Sequence, residues 1–329
     1  IKPLLIEAKK GNRMPAPWGG ERAGAFVSGG LDSLAMLKAN RNRYPPEHPR
    51  YIRDGLIVHG FDIGGRAAHD AEAEAFEQAL DTLSAVAADA GLTLIPVRTN
   101  VRHLDDNVDF WIHEFDGAAL ASVAHAFSNR LSTISVASGH EVPDIEYGDS
   151  PVLMANYSST DLLIRLENLT LSRLARASLI AEWDVALKNL RVCTLNPPGR
   201  LNCGQCEKCI RTMTELVALG KLTETEAFGV YDVSVDLLET VESTEPNLEQ
   251  YFRELIEPLE QRGRHDLAAV IERKLSEYER HLAWQEERDW KGVIKRFDRK
   301  RLGSSLFRAY SAIRSLRREP VPARTRVKA

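Results

Sequence analysis

Short apolar runs alternate with longer amphipathic ones along the first 140 residues. AGAFV (23–27) is closed by Gly29-Gly30 and reads as a short buried strand. DSLAMLKANR (32–41) follows with Asp32 and Ser33 placed for a first helical turn, and YPPEHP (44–49) breaks that helix. DGLIVHGFDI (54–63) predicts a second strand. In AHDAEAEAFEQALDTLSAVAADAG (68–91), Phe76, Leu80, Leu83 and Val86 or Ala87 recur at helical spacing, and Gly91 closes the helix. LTLIPVRTN (92–100) predicts a third strand, GAALASVAHAFSNR (117–130) a helix, and STISVASGH (132–140) a fourth strand.

Strands alternating with helices pair in parallel through crossovers, so the expected fold class is α/β, a doubly wound, mostly parallel sheet. Ligands of such sheets sit beyond the carboxyl ends of the strands. Three predicted loops fall there: 28–33, HGFDIGG (59–65) and ASGHEVPDIE (137–146). After residue 211 the pattern turns helical, and 248–290 reads as a helical hairpin. The expected organisation is a lead-in at 1–22, an α/β domain at 23–215, a helical appendage at 216–318 and a disordered basic tail at 319–329. No internal repeat is visible.

Composition alters this picture little: 43% hydrophobic and 27% charged residues are ordinary for a soluble globular chain. No apolar run approaches the ~20 residues of a membrane span, and IKPLLIEAKK lacks the apolar core of a signal peptide. The chain begins at Ile1, which leaves an upstream segment open. Charge is unevenly spread. Residues 288–329 hold 14 Lys and Arg against three Asp and Glu, although the whole chain carries −4. That basic end is a candidate contact for nucleic acid or an acidic protein partner, against the plainer reading of a solvated helical surface. A homodimer stays open.

The chemistry begins at SGGLDS (28–33). Two glycines let backbone approach a ligand and adopt positive φ. Successive amides followed by a helix N-terminus favour an anion, and Ser28 and Ser33 add hydroxyls. Asp32 would repel a bare phosphate and makes sense beside a Mg²⁺ that bridges phosphates. The loop has neither the Gly-x-x-x-x-Gly-Lys-Ser/Thr nor the Gly-x-Gly-x-x-Gly pattern. SGGLDS resembles the pyrophosphate loop of the N-type ATP pyrophosphatases. The resemblance implies an adenine nucleotide α-hydrolase-like fold, ATP cleavage between the α- and β-phosphates, and adenylation of a substrate oxygen. It implies that Ser28, Gly29, Gly30, Leu31, Asp32 and Ser33 hold the pyrophosphate, with Asp32 nearest Mg²⁺. Val58 and His59 would lie near the adenine, and Ser138 and Gly139 near the ribose and α-phosphate. Relatives supply a basic residue on a downstream helix. LSRLARASLI (171–180) offers Arg173 and Arg176, and Arg176 stands where 7-cyano-7-deazaguanine synthases carry Lys.

All four cysteines, Cys193, Cys203, Cys206 and Cys209, lie within 17 residues. Such a cluster in a large chain reads as a metal site in a reducing compartment, so a cytoplasmic location is expected. Four thiolates complete a closed tetrahedral Zn²⁺ site, and Gly204 permits the tight turn. An iron–sulfur cluster or a catalytic thiol are the alternatives. With SGGLDS, the arrangement resembles 7-cyano-7-deazaguanine synthase over about residues 23–219. It departs from that family in the chain's continuation beyond the cysteines and in GHEVPDIEYGDSP (139–151).

Asp144, Glu146 and Asp149 could hold a second Mg²⁺ or a substrate amine, or form a solvated loop. His59 and His140 are candidates for proton transfer or plain hydrogen bonding. Asp161 and Glu167 carry no assigned role. The function expected is therefore an ATP-dependent, AMP-forming ligase. A small-molecule acid or modified base is adenylated, and ammonia or another amine displaces AMP. The rivals are a sulfur transferase of the same superfamily and a nucleic-acid-binding module using the basic tail.

Overall fold

The computed structural model describes residues 21–63, 70–105, 107–139, 150–193, 195, 197, 199–241 and 246–288. Its elements in chain order are β1 (Ala23–Phe26), α1 (Leu31–Arg43), β2 (Ile52–His59), α2 (Asp70–Asp89), β3 (Thr93–Arg98), α3 (Val108–Phe110), α4 (Asp116–Ala126) and β4 (Thr133–Ala137). Then come α5 (Pro151–Asn156), β5 (Leu163–Glu167), α6 (Arg173–Ala181), α7 (Asp184–Lys188) and α8 (Glu207–Leu219). The last are α9 (Val235–Glu239), α10 (Pro246–Arg253), α11 (Ile256–Gln261) and α12 (His265–Arg288). No helix among the described residues is long and apolar enough to cross a membrane.

The sheet has five parallel strands in the order β3-β2-β1-β4-β5. β1 is central and every residue of it is buried, which is why it reads as a continuous apolar run. The fifth strand, within LLIRLE, escaped the sequence reading. It is an edge strand with Leu163 exposed, and its charges Arg165 and Glu167 pair with each other at 2.9 Å. The second strand is shorter than expected. It ends at His59, because Gly60 turns at φ 106° and its amide donates to the Ile63 carbonyl. A Cβ on Gly60 would stand 1.9 Å from the Thr99 carbonyl oxygen, so only glycine fits.

Ala25, Val27 and Ile57 face the side covered by α1, α2 and α6, while Phe26, Leu56, Ile134 and Ile164 face α4 and α5. The chain thus winds over one face through β1, β2 and β3 and over the other through β4 and β5. α1 is buried almost all round in its first two turns, with Leu31, Leu34, Ala35 and Leu37 at 2% exposure or less. The helices after the cysteines join the same apolar cluster: Met213 and Leu216 of α8, Leu259 of α11, and Leu267 and Ile271 of α12. Burying each such side chain contributes roughly 1.5–3 kcal/mol. The expected single hairpin is three helices, α10, α11 and α12.

At the amino ends of the strands, Asp54 is fully buried and receives Arg22 Nε at 2.6 Å and Arg130 Nε at 2.9 Å. The Arg22 amide also donates to Ser132 Oγ, so Arg22, expected in the lead-in, is fastened to the sheet.

Candidate functional site

Parallel winding that changes face between β1 and β4 opens a crevice above their carboxyl ends. A cleft of about 250 Å³ lies there, and Ser28, Asp32, Ser33, Val58 and Gly139 line it. The loop from β1 to α1 shapes its floor. Gly29 adopts φ 78°, and Gly30 caps α1 with no side-chain cap. The Gly30 amide donates to Ser28 Oγ at 3.2 Å, and Ser33 Oγ donates to the Gly30 carbonyl at 2.9 Å. The N-terminus of a 13-residue helix thus points at the cleft beside two hydroxyls, a setting that favours an anion.

Three expected residues behave differently. Leu31 is a core side chain at 2% exposure, part of the apolar cluster on one side of α1, while Asp32 beside it faces the cleft. The His59 ring packs edge-on against Phe76 of α2, with centroids 5.1 Å apart, and does not line the cleft. Ser138 is buried, and its amide donates to the Glu167 carbonyl, closing the end of β4 on β5.

Asp32 is held by arginine. Arg176 Nη1 lies 2.9 Å and Arg173 Nη1 3.5 Å from its carboxylate. Ser172 caps α6 through the Ala175 amide, and this sets both arginines toward α1. Arg176 is fully buried and Arg173 nearly so, so neither is a solvated charge on the surface of its helix. Both stand behind Asp32; neither lines the cleft. Arg173 Nε donates to Glu215 Oε1 at 2.8 Å and its Nη2 to Thr212 Oγ1 at 3.2 Å, both from α8. Burial opposes the Arg173 charge, but the Glu215 and Asp32 carboxylates outweigh it and hold the pKa above the ordinary arginine value. Burial pushes the Glu215 carboxyl up against the pull of Arg173 and Arg211. Its Oε2 has no hydrogen-bond partner among the described residues.

The sequence reading missed several residues around the cleft. Tyr251 of α10 donates its hydroxyl to the Gly139 carbonyl at 3.1 Å, and the Arg211 guanidinium sits 4.9 Å from its ring centroid. Burial pushes the Tyr251 phenol up, which keeps it a donor. Arg191 lines the cleft itself, beside Phe61 and Asp62 of the HGFDIGG loop that the sequence placed at this edge. Burial lowers the Arg191 pKa, against the raising charges of Asp62 and Cys193. No motif marks Arg191, Arg211 or Tyr251; they come from segments far apart in the chain.

The four cysteine sulfurs lie within 4.8 Å of one another. Cys203–Cys209, Cys193–Cys206 and Cys206–Cys209 are separated by 3.8, 3.9 and 3.4 Å. A tetrahedral zinc with 2.3 Å bonds places its sulfurs about 3.8 Å apart, so the cluster can hold such an ion. The Gln205 and Cys206 amides donate to Cys203 Sγ. Against the upward push of burial, these bonds lower the Cys203 pKa to about 7. Cys206 occupies the N-cap position of α8 without a side-chain capping bond. Asn202 fastens the site from within. Its Oδ1 accepts the Val192 and Cys193 amides, and its Nδ2 donates to the Leu190 and Ala227 carbonyls.

His140, Asp144, Glu146, Asp149 and the basic end beyond residue 288 lie outside the described residues. Comparison with protein families, curated proteins and solved structures found no significant match to this chain.

Proposed function

We propose that this chain is an ATP-dependent, AMP-forming ligase of the N-type ATP pyrophosphatase kind, similar to 7-cyano-7-deazaguanine synthase. The observation that carries the reading is the cleft at the strand switch point, where the 28–33 loop, the α1 N-terminus and Asp32 meet. Val58, Phe61 and Val136 add apolar lining to the cleft, which suits a planar base. In this reading a substrate carboxylate oxygen attacks the α-phosphorus of ATP. The bond from that phosphorus to the α,β-bridging oxygen breaks, and pyrophosphate leaves onto the loop amides and the Ser28 and Ser33 hydroxyls. Ammonia or an amine then attacks the acyl carbon and loses a proton to solvent as AMP departs, giving an amide. Mg²⁺, when bound, would neutralise phosphate charge. Asp32 is the residue to hold it, since its carboxylate faces the cleft and two arginine contacts leave acceptor sites over. Arg173 and Arg176 fix the direction of that carboxylate. Zn²⁺ at the cysteines is structural in this reading, because four thiolates leave no open ligand position.

The test is product analysis. Purified protein is incubated with Mg-ATP and candidate carboxylates, including 7-carboxy-7-deazaguanine, with and without ammonium. AMP and pyrophosphate are expected, and Asp32→Ala should reduce their formation by about 100-fold. ADP and phosphate as the products would overturn the reading.

A further inference from the structure

We propose that Arg191 is a further catalytic residue of this cleft, its guanidinium receiving the departing diphosphate; this rests on the AMP-forming reading above. Among the described residues that line the cleft, Arg191 is the one basic side chain, since Arg173 and Arg176 stand behind Asp32. Its backbone is joined to the phosphate loop, with its amide donating to the Gly29 carbonyl at 2.9 Å. Its Cβ lies 3.7 Å from where a Gly29 Cβ would be, so the side chain starts beside the loop.

The segment that carries it is fixed on both sides. Asn202 takes the Val192 and Cys193 amides and donates to the Leu190 carbonyl, and Cys193 is one of the four clustered thiols. A cation delivered on so constrained a backbone pays little ordering entropy when an anion arrives. A planar guanidinium matches two phosphate oxygens at once. Charge builds on the leaving diphosphate as the bond to the α-phosphorus breaks, so a cation at that end favours the transition state over the substrate.

Calorimetry with Mg-pyrophosphate on the full chain, paired with AMP formation, tests the assignment in Arg191→Ala, Arg191→Met and Arg191→Lys. Alanine and methionine should weaken pyrophosphate binding about 10- to 100-fold and slow AMP release, with metal content and melting temperature unchanged. Lysine should recover part of the loss. If Arg191→Ala does not fold, Arg191→Met keeps the stem and gives the same reading. Wild-type pyrophosphate affinity in a folded alanine or methionine variant would overturn the role of Arg191 while leaving AMP formation standing. A wild-type chain that neither binds pyrophosphate nor makes AMP would remove both.

Discussion

Glu215 offers a sharp test of how the cleft is supported. Its carboxylate is buried, and one oxygen takes Arg173 Nε at 2.8 Å while the other has no hydrogen-bond partner among the described residues. Truncation to alanine removes that bond and leaves a void and a buried guanidinium that retains Asp32 at 3.5 Å and Thr212. Breaking a buried pair from one side costs about 3–5 kcal/mol; with two partners kept, about 3 kcal/mol is expected. Glutamine is different. Its amide oxygen can still accept from Arg173 Nε, and it removes the charge that burial disfavours, so about 1 kcal/mol or less is expected. The pH dependence follows from the raised carboxyl pKa. Above its unfolded value near 4.3 the folded protein binds more protons than the unfolded, so this residue's contribution falls as pH rises toward the raised value. The gap between wild type and Glu215→Gln should therefore narrow from pH 5 upward. Urea titrations at several pH values measure all three chains. A glutamine variant as unstable as the alanine one would refute the reasoning.

Asp54 predicts the opposite acid behaviour. Burial opposes its charge, yet Arg22 and Arg130 hold its pKa below the ordinary carboxylate value. The stability it adds is present above about pH 3.9 and lost as pH falls through the depressed folded value. Because both arginines are partly exposed, Asp54→Asn should cost about 1–2 kcal/mol at pH 7. In acid denaturation its curve should converge with wild type only below pH 4; a constant gap there would refute the pairing. Elemental analysis should find one zinc per chain, with the four thiols slow toward Ellman's reagent until a chelator is added. Iron in a brown protein, or four freely reactive thiols in protein purified without chelator, would count against a zinc-filled cluster.

The first four strands were legible because each carries a short apolar run ended by glycine or polar residues: β1 is buried throughout, β2 and β4 largely so, and β3, although an edge strand with no fully buried residue, still presents Leu94, Ile95 and Val97 close together. β5 was not, since an edge strand keeps one side wet and tolerates Arg165 and Glu167, which break the apolar signal. The SGGLDS motif located the cleft but not the direction of every side chain in it. Leu31 belongs to the motif and faces the core, because its side of the first turn of α1 is enclosed by neighbours that are remote in sequence, while Asp32 on the other side opens onto the cleft. Arg173 and Arg176 were identified as a pair, yet the helical pattern alone could not say that they are buried. That follows from Glu215, 42 residues on from Arg173, and from Asp32, 141 residues before it. Tyr251 reaches Gly139 across 112 residues, beyond any local periodicity.

One helix joins the two chemistries of the chain. α8 starts at the Cys206 cap, carries Cys209 in its first turn, and presents Thr212 and Glu215 three and six residues later. Six residues of helix rise about 9 Å, so the sulfur cluster and the Arg173 clamp sit less than two turns apart on one rigid rod. The N-terminal turn of a helix frays when nothing holds it. An ion on the cysteines would hold that turn, and with it the acceptors that keep Arg173 on Asp32. The same ion would fix Cys193 and so the strand of chain bearing Arg191, which meets the loop from the other side. A metal-filled four-sulfur centre with no open ligand position would therefore still bear on the cleft. It would act through two backbones, one behind Asp32 and one beside Gly29, and not through any group of its own.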